Sequence, residues 1–320
     1  IRDSSVTGVQ TCALPISVTD IELAEKREKP HKIFYSHKDE KKKYICEARW
    51  VIDAMGRRRF LQKKLGLGKP NNPNFNAVWF RVQGRIDVSD FVPITERSWH
   101  DRVPENKRYY STNHLCGEGY WIWLIPLASK HTSIGIVAKE EIHAFKEFHT
   151  YELAYKWLEK YEPVLANFLK EKQAADFKKM PKYSYSSSQV FSKNRWASVG
   201  DAGVFPDPFY SPGMDLIGYG NSLVTQAIGL ELEGKLTQEQ IDKANEFYLS
   251  LNDKNAESIH NIYSFFGKKV VMATKFIWDI ATGMPSTSLL RFNSLILDLD
   301  KKEEIGKNNA IISQLAERMR

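Results

Sequence analysis

Three stretches of this chain combine residue types and spacings suited to chemistry. The first is WASVGDAGVFPDPFYSPGMDLIGYGN over 196–221. An apolar run there delivers Asp201 at what would be the carboxyl end of a strand, where open α/β sheets place ligands. Its carboxylate would accept hydrogen bonds from a sugar-like or ribityl hydroxyl. Ser211 stands where a helix N-cap is wanted, Pro212 at the first helical position, and Asp215 where a capping box puts an acid. Such a helix start carries about +0.5 elementary charge and free amides, which suit an anionic ring edge or a halide. Gly213, Gly218 and Gly220 lack side chains, so a flat group can approach closely. The same residues also suit a capped strand–loop–helix without a ligand. The glycine run and the Ser-Pro cap together favour the ligand.

The second stretch is GEGYWIWLIPLASKHTSIGIV over 117–137. On a strand, Trp121, Trp123 and Ile125 share one face, and Tyr120, Ile122 and Leu124 share the other. Neighbouring tryptophans make a wide apolar wall, although composition alone reads the segment as sheet core. The third is RWVIDAMGRRR over 49–59. Asp53 ends a strand, Gly56 permits a tight turn, and Arg57, Arg58 and Arg59 offer cations to a pyrophosphate, or else make an exposed basic helix start. Other chemistries find no footing. There is no GxSxG elbow, and Gly66-Leu67-Gly68-Lys69 lacks the phosphate-loop frame. No two histidines share a helix at ligand spacing beside an acid. His114, just before the tryptophan strand, is placed to line a pocket but reads more simply as an ordinary loop histidine.

The elements that must position these groups follow from pattern. The chain has 320 residues, 42% hydrophobic and 27% charged, a folded-domain composition of about two domains. Alternation predicts strands over 18–23, 32–35, 44–53, 75–82, 108–112, 120–126, 132–137, 183–191 and 195–200. Helices are predicted over 57–65, 140–172, 212–234 and most of 237–320, with Leu153, Trp157, Leu158 and Tyr161 on one face. The expected fold class is mixed α/β, with an antiparallel sheet inserted between two parts of one domain. The expected boundaries are 17–74 and 191–235 for the divided domain, 75–190 for the insert, and 236–320 for a helical C-terminal region.

Charge and cysteine use narrow the setting. The net charge is +7, and residues 17–66 hold 14 basic and 8 acidic residues. The signs are mixed in loop-like runs such as 38–43, which reads as a solvated hairpin and not a nucleic-acid surface. An anionic cofactor or substrate is compatible. The longest apolar run, 120–128, is far short of the ~20 residues of a bilayer span. Cys12, Cys46 and Cys116 are too few and scattered for a disulfide framework or a structural zinc site, and a reducing, cytoplasmic setting is expected.

Residues 1–16, IRDSSVTGVQTCALPI, match the translation of a sequencing-library adapter with a six-base barcode at Ser4-Ser5. The expectation is that they are non-native and that a further part of the protein precedes Ser17.

Taken in order, the three stretches resemble the second half of flavin-dependent monooxygenases of the p-hydroxybenzoate hydroxylase fold, and among these the flavin-dependent halogenases. Trp121, Trp123 and Pro126 match the halogenase pattern WxWxIP. Phe205, Pro208, Ser211 and Gly213 match FxxPxxSxG. Gly200-Asp201-Ala202 resembles the second FAD motif, and Asp53-Ala54-Met55-Gly56-Arg57 the DA(T/S)GR turn. The resemblance implies a partial FAD-binding domain with an inserted antiparallel substrate sheet. It implies FAD held by Asp53, Gly56, Arg57, Gly200, Asp201, Ala202, Pro208, Gly213 and Met214. A halide and substrate pocket would lie at Ser211, Gly213, Tyr210, Trp121, Trp123 and Pro126. The implied reaction halogenates an electron-rich aromatic with reduced FAD, oxygen and halide, served by a separate flavin reductase, in secondary metabolism. Tyr210 replaces the Glu of tryptophan-specific members, which points to phenols or pyrroles. Neither the GxGxxG turn nor the relay lysine of the family is found in the chain, and both are expected upstream of Ser17. The same fold also serves monooxygenases and geranylgeranyl-reductase-like enzymes, and a non-catalytic fragment or lipid-binding protein would reuse the sheet. A long DNA read across the Ser17 codon should replace codons 1–16 with a frame encoding strand–GxGxxG–helix and a lysine. Genomic codons 1–16 preceded by a start would overturn the adapter reading.

Overall fold

A computed structural model describes residues 16–37, 42–283, 297, 298 and 314. Residues 1–15, and the expected helices beyond 283 apart from those three positions, lie outside the described residues. The chain begins with three strands, β1 (Ile16–Glu22), β2 (His31–His37) and β3 (Lys43–Ala48), paired antiparallel in that order. The run over 44–53, expected as one strand, is two. It leaves the first sheet at Ala48, and β4 (Val51–Asp53) joins another. The helix expected over 57–65 is also divided, into a 3-10 turn at Gly56–Arg58 and α1 (Phe60–Lys64), with Arg59 left-handed between them at φ 50°.

The segment 66–74 contains β5 (Gly68–Pro70), and β6 (Phe75–Gln83) follows. After α2 (Arg97–His100), the strand expected over 108–112 is instead the end of a 3-10 helix, Pro104–Tyr110. Pro104 fixes the first φ, and the Arg108 guanidinium lies 4.1 Å over the Trp99 ring, which holds the segment coiled. Extended chain resumes at β7 (Asn113–Gly117), β8 (Tyr120–Pro126) and β9 (His131–Lys139). Two short helices come next, α3 (Tyr151–Tyr161), capped by Thr150 Oγ1 on the Leu153 amide, and α4 (Pro163–Leu169). The strand β10 (Ala174–Met180) completes a five-stranded antiparallel sheet in the order β10-β6-β9-β8-β7.

The chain then returns to the earlier elements. β11 (Tyr185–Ser187) pairs with β5, and β12 (Phe191–Ser192) with β13 (Trp196–Ser198). β13 runs parallel to β4 in the register Val51↔Trp196 and Asp53↔Ser198, so both strands end at the same level. The long helices are α5 (Pro212–Leu232), α6 (Gln238–His260) and α7 (Lys269–Gly283). α6 opens with a complete capping box between Thr237 and Gln240. Among the described residues no helix is long and apolar enough to cross a membrane.

Glu231 explains the break between β3 and β4. Its carboxylate is 4% exposed and accepts from Arg49 Nε and Nη2, both at 2.9 Å, Trp50 Nε1 at 3.3 Å and Arg27 Nε at 3.0 Å. The Arg49 hydrogen bonds, chiefly, hold this carboxyl below its ordinary range. Arg49 and Trp50 must therefore turn toward α5, and the strand cannot run through them.

The alternation of β8 feeds two cores. Tyr120, Ile122 and Leu124 pack with Phe80, Ile134, Trp157 and Leu158, while Trp121 and Trp123 face Phe75, Tyr183, Phe209 and Tyr263. Gly135 on β9 lies opposite Trp123, and a Cβ there would stand 2.1 Å from the indole Cζ2. The missing side chain is the space that the ring fills. Gly135→Ala should cost about 1–3 kcal/mol by overpacking, read as a lower urea midpoint with unchanged m. An unchanged midpoint would mean that the ring is free to move.

Candidate functional site

The parallel pair β4 and β13 delivers two turns side by side. In the first, Asp53 is 1% exposed, and its carboxylate accepts from the Met55 amide at 3.0 Å and the Leu61 amide at 2.8 Å. Asp53 thus shapes the turn and starts α1, with both oxygens taken by backbone donors. Gly56 sits at φ 57°, with open space where a Cβ would be. Arg57 crosses to the second turn. It donates to the Tyr183 carbonyl at 3.0 Å, and its guanidinium lies 5.3 Å from the Tyr185 ring and 5.1 Å from that of Phe205. Burial pulls its pKa down.

In the second turn Gly200 is left-handed at φ 55°, and a Cβ there would meet the Ile217 side chain at 2.9 Å. Ala202 is buried, and Asp201 is half-buried. The Tyr185 hydroxyl donates to the Asp201 backbone carbonyl at 2.5 Å. Among the described residues the Asp201 carboxylate has no hydrogen-bond donor. Burial raises its pKa, and the field of Arg57 opposes that rise. An accessible carboxylate with unused acceptors is what a polyhydroxyl chain requires.

The loop from 203 to 211 hangs on Asp207, which the sequence reading did not single out. It is 2% exposed. Its Oδ2 accepts from Tyr183 Oη at 2.5 Å and from Tyr263 Oη at 2.8 Å, and its Oδ1 accepts from the Phe209 amide at 2.9 Å. Tyr263 Oη in turn accepts from Trp121 Nε1 at 2.8 Å. Burial outweighs these donors and pushes the carboxyl pKa upward; it raises both phenols as well. The only sequence signal was an Asp two residues before Phe209, the spacing of an Asx turn.

Tyr210 and Ser211 are both left-handed, at φ 63° and 57°. Two such consecutive non-glycine residues store strain at the start of α5. Ser211 occupies the N-cap position, but its side chain makes no capping bond, and the capping box expected with Asp215 cannot form, because its acid belongs three residues after the cap, where Met214 stands. The left-handed backbone turns the hydroxyl away from the amides it would cap. The first turn of α5 therefore keeps its positive end uncovered by its own cap. Above Gly213 there is nothing within 4 Å of a Cβ position, Met214 is 72% exposed, and Ile217 beside it is also exposed. Pro208 is half-buried at the foot of the loop. Tyr210 stacks near Phe209 at 4.5 Å and faces Phe276 of α7 at 6.2 Å.

Trp121 and Trp123 do share a face, with rings 5.8 Å apart at 48°. Trp121 is 2% exposed and meets Phe209 of the loop at 5.2 Å. Trp123 is partly open, and its Nε1 donates to Ser133 Oγ at 3.1 Å. Pro126 closes β8 opposite Thr132. His114 faces the wall, 5.0 Å from Trp121 and 5.2 Å from Phe209, and burial of its ring lowers its pKa. The structure thus gathers the tryptophan strand and the 203–213 loop into one body. It sets Asp201, Arg57 and Gly56 at the ends of the parallel strands, and keeps Asp53 beneath its turn.

No family model matches the chain. The flavin-dependent halogenase chlA of Dictyostelium discoideum is 29% identical over 213 residues, covering 64% of this chain and 34% of that protein. The 1H-pyrrole-2-carbonyl-[peptidyl-carrier protein] chlorinase of Pseudomonas fluorescens is 28% identical over 202 residues, covering 63% of this chain and 42% of that one. The chain therefore spans well under half the length of these relatives. The structure of halogenase PltM in complex with phloroglucinol and FAD superposes with a TM-score of 0.72 at 18% identity, covering 92% of this chain and 58% of that one. The flavin-dependent brominase Bmp2 gives 0.65 at 18% identity, covering 95% of this chain and 70% of that one. These relatives and solved structures are all flavin-dependent halogenases, and the mixed α/β fold is shared with them.

Asp207 makes a pH prediction. Its folded pKa is raised, so between the ordinary carboxylate value and the elevated one the folded state binds more protons than the unfolded state. The contribution is present at acid pH and is lost as pH rises through that window. The stability of the wild type relative to Asp207→Asn should therefore fall as pH is raised from about 4. Urea midpoints of both proteins across pH test this, and a difference that stays flat or grows with pH would contradict it.

Proposed function

We propose that this chain is the back half of an FAD-dependent halogenase that acts on an electron-rich phenolic or pyrrolic ring. The observation that supports this most is the hydrogen-bonded chain from Trp121 through Tyr263 and Asp207 to the Phe209 amide. It joins the WxWxIP strand to the FxxPxxSxG loop, the two patterns that distinguish halogenases within the superfamily. In this reading residues 17–74 and 191–235 form one partial FAD-binding domain, 75–190 the substrate sheet, and 236–320 a helical region.

The residues present fit FAD. Asp201 has free acceptors for ribityl hydroxyls. Gly56 and Gly213 leave open surface, and Met214 offers an exposed apolar face to a flat ring. Arg57 contributes positive charge beside Asp201. Reduced FAD with oxygen supplies the oxidising equivalents that turn a halide into an electrophilic halogen. The chain's own residues bind, orient and exclude. The uncapped start of α5 at Ser211 and Gly213 favours anions there by about 0.3–2 kcal/mol. Trp123, backed by the buried Trp121, walls the organic substrate away from the cofactor face, which suppresses direct hydroxylation. Tyr210 borders the substrate side. A separate reductase supplies the reduced flavin, and the protein works in the cytoplasm.

The complete protein, extended to the full length of its relatives, should brominate a phenolic probe when given reduced FAD, oxygen and bromide. Hydroxylated product alone would move the assignment to a monooxygenase. In the same protein Asp201→Ala should raise the Kd for FAD about tenfold, or ~1.4 kcal/mol. Unchanged affinity by flavin fluorescence quenching would remove Asp201 from the site.

A further inference from the structure

A second cleft adjoins the Asp201 turn and shares Tyr185 with it. It is bounded by α1, by β5 with the loop after it, and by the residues leading into β11, and encloses 410 Å³. Its lining carries four cations, Arg59, Lys63, Lys69 and Lys182, and no carboxylate. None of the four has a carboxylate partner among the described residues. The four share one lining, so an anion in the cleft would have several cations within reach.

Two of the cations are held there against backbone preference. Arg59 is left-handed at φ 50° and Lys182 at φ 46°. The Lys182 amide is fixed by Asn76 Oδ1 at 2.9 Å, and the Arg59 amide by the Gly56 carbonyl at 2.9 Å. The Arg59 guanidinium lies 4.1 Å over the Tyr185 ring, and its Nη1 donates to Gln62 Oε1 at 3.3 Å. Its Nε is buried and has no acceptor. A guanidinium oriented on an aromatic face can turn its terminal nitrogens to an oxyanion. Nothing in the proposed halogenation uses this group.

We propose that this cleft binds the phosphate monoester of a small ligand, at a site separate from that of FAD. A dianion matches four cations better than a single carboxylate does, and a tetrahedral group can accept from the Arg59 fork and the lysines together. The volume also leaves room for a small organic group on the ester. A phosphate diester, with one charge instead of two, would match the cleft less well.

The test uses the complete protein, extended to the full length of its relatives, and two probes, glycerol 3-phosphate and glycerol, by titration calorimetry. The phosphate should bind saturably and the uncharged control should not, with affinity falling as salt is raised. The variant Lys63→Gln/Lys69→Gln/Lys182→Gln removes only exposed side chains, and its thermal melt verifies folding. It should weaken binding at least about tenfold, ~1.4 kcal/mol. Lys32→Gln/Lys43→Gln/Lys254→Gln removes the same charge elsewhere and should leave binding intact. Equal loss in both variants, no loss in the first, or no binding at all overturns the site. Displacement of the phosphate by FAD would assign the cleft to the cofactor and overturn its separateness, whereas failure to halogenate would leave the result untouched.

Discussion

The site depends on one buried carboxyl group. Among the described residues Asp207 has no cation beside it, and two tyrosine hydroxyls and one backbone amide satisfy it. Those donors come from Tyr183 just before β11, Tyr263 after α6, and the loop itself. A buried polar group without partners costs a few kcal/mol, so the loop cannot leave this arrangement cheaply. The strained pair Tyr210 and Ser211 is held in place by the same anchor. Strain at the start of α5 persists because the residues just before it are pinned.

A second set of bonds gathers distant segments around that anchor. Glu231 draws Arg27, Arg49 and Trp50 onto the far end of α5. Gln62 Nε2 reaches the Ser186 carbonyl at 3.2 Å and the Gly203 carbonyl at 2.5 Å. These contacts fix α1, β11 and the 200–203 turn relative to one another. β4 and β13, far apart in sequence, then end at one level, where Asp201 and Gly56 face an open surface. Stability and site geometry therefore rest on the same few polar groups.

The tryptophan wall shows how one strand serves both ends. One face of β8 belongs to the main sheet core, and the other carries Trp121 and Trp123 toward the loop. Trp121 is almost wholly buried, so its contribution is mainly to hold the loop through Tyr263 and Phe209. Trp123, packed over Gly135 and partly open, is the one of the pair that can meet a substrate.

Much of this was legible in the amino-acid sequence because it is local. Period-two alternation located β8 at its observed bounds and β6 and β9 within a residue or two, and the Pro212 start of α5 was read from its composition. The Gly-Asp-Ala turn, the paired tryptophans and the Ser-x-Gly at the helix start could be quoted directly, and with them the superfamily. What the sequence did not determine was set by the folded backbone and by particular partners, some near and some far along the chain. The strand over 44–53 breaks because Glu231 draws Arg49 and Trp50 toward α5. Residues 108–110 coil because Arg108 stacks on Trp99. Ser211 fails to cap because the backbone there is left-handed. Asp53 was expected to hold the cofactor and is spent on two amides, while Asp207, not singled out in the sequence, is the buried anchor. In each case propensity or spacing is worth a few tenths to about one kcal/mol, and a buried, charged or aromatic partner outweighs it.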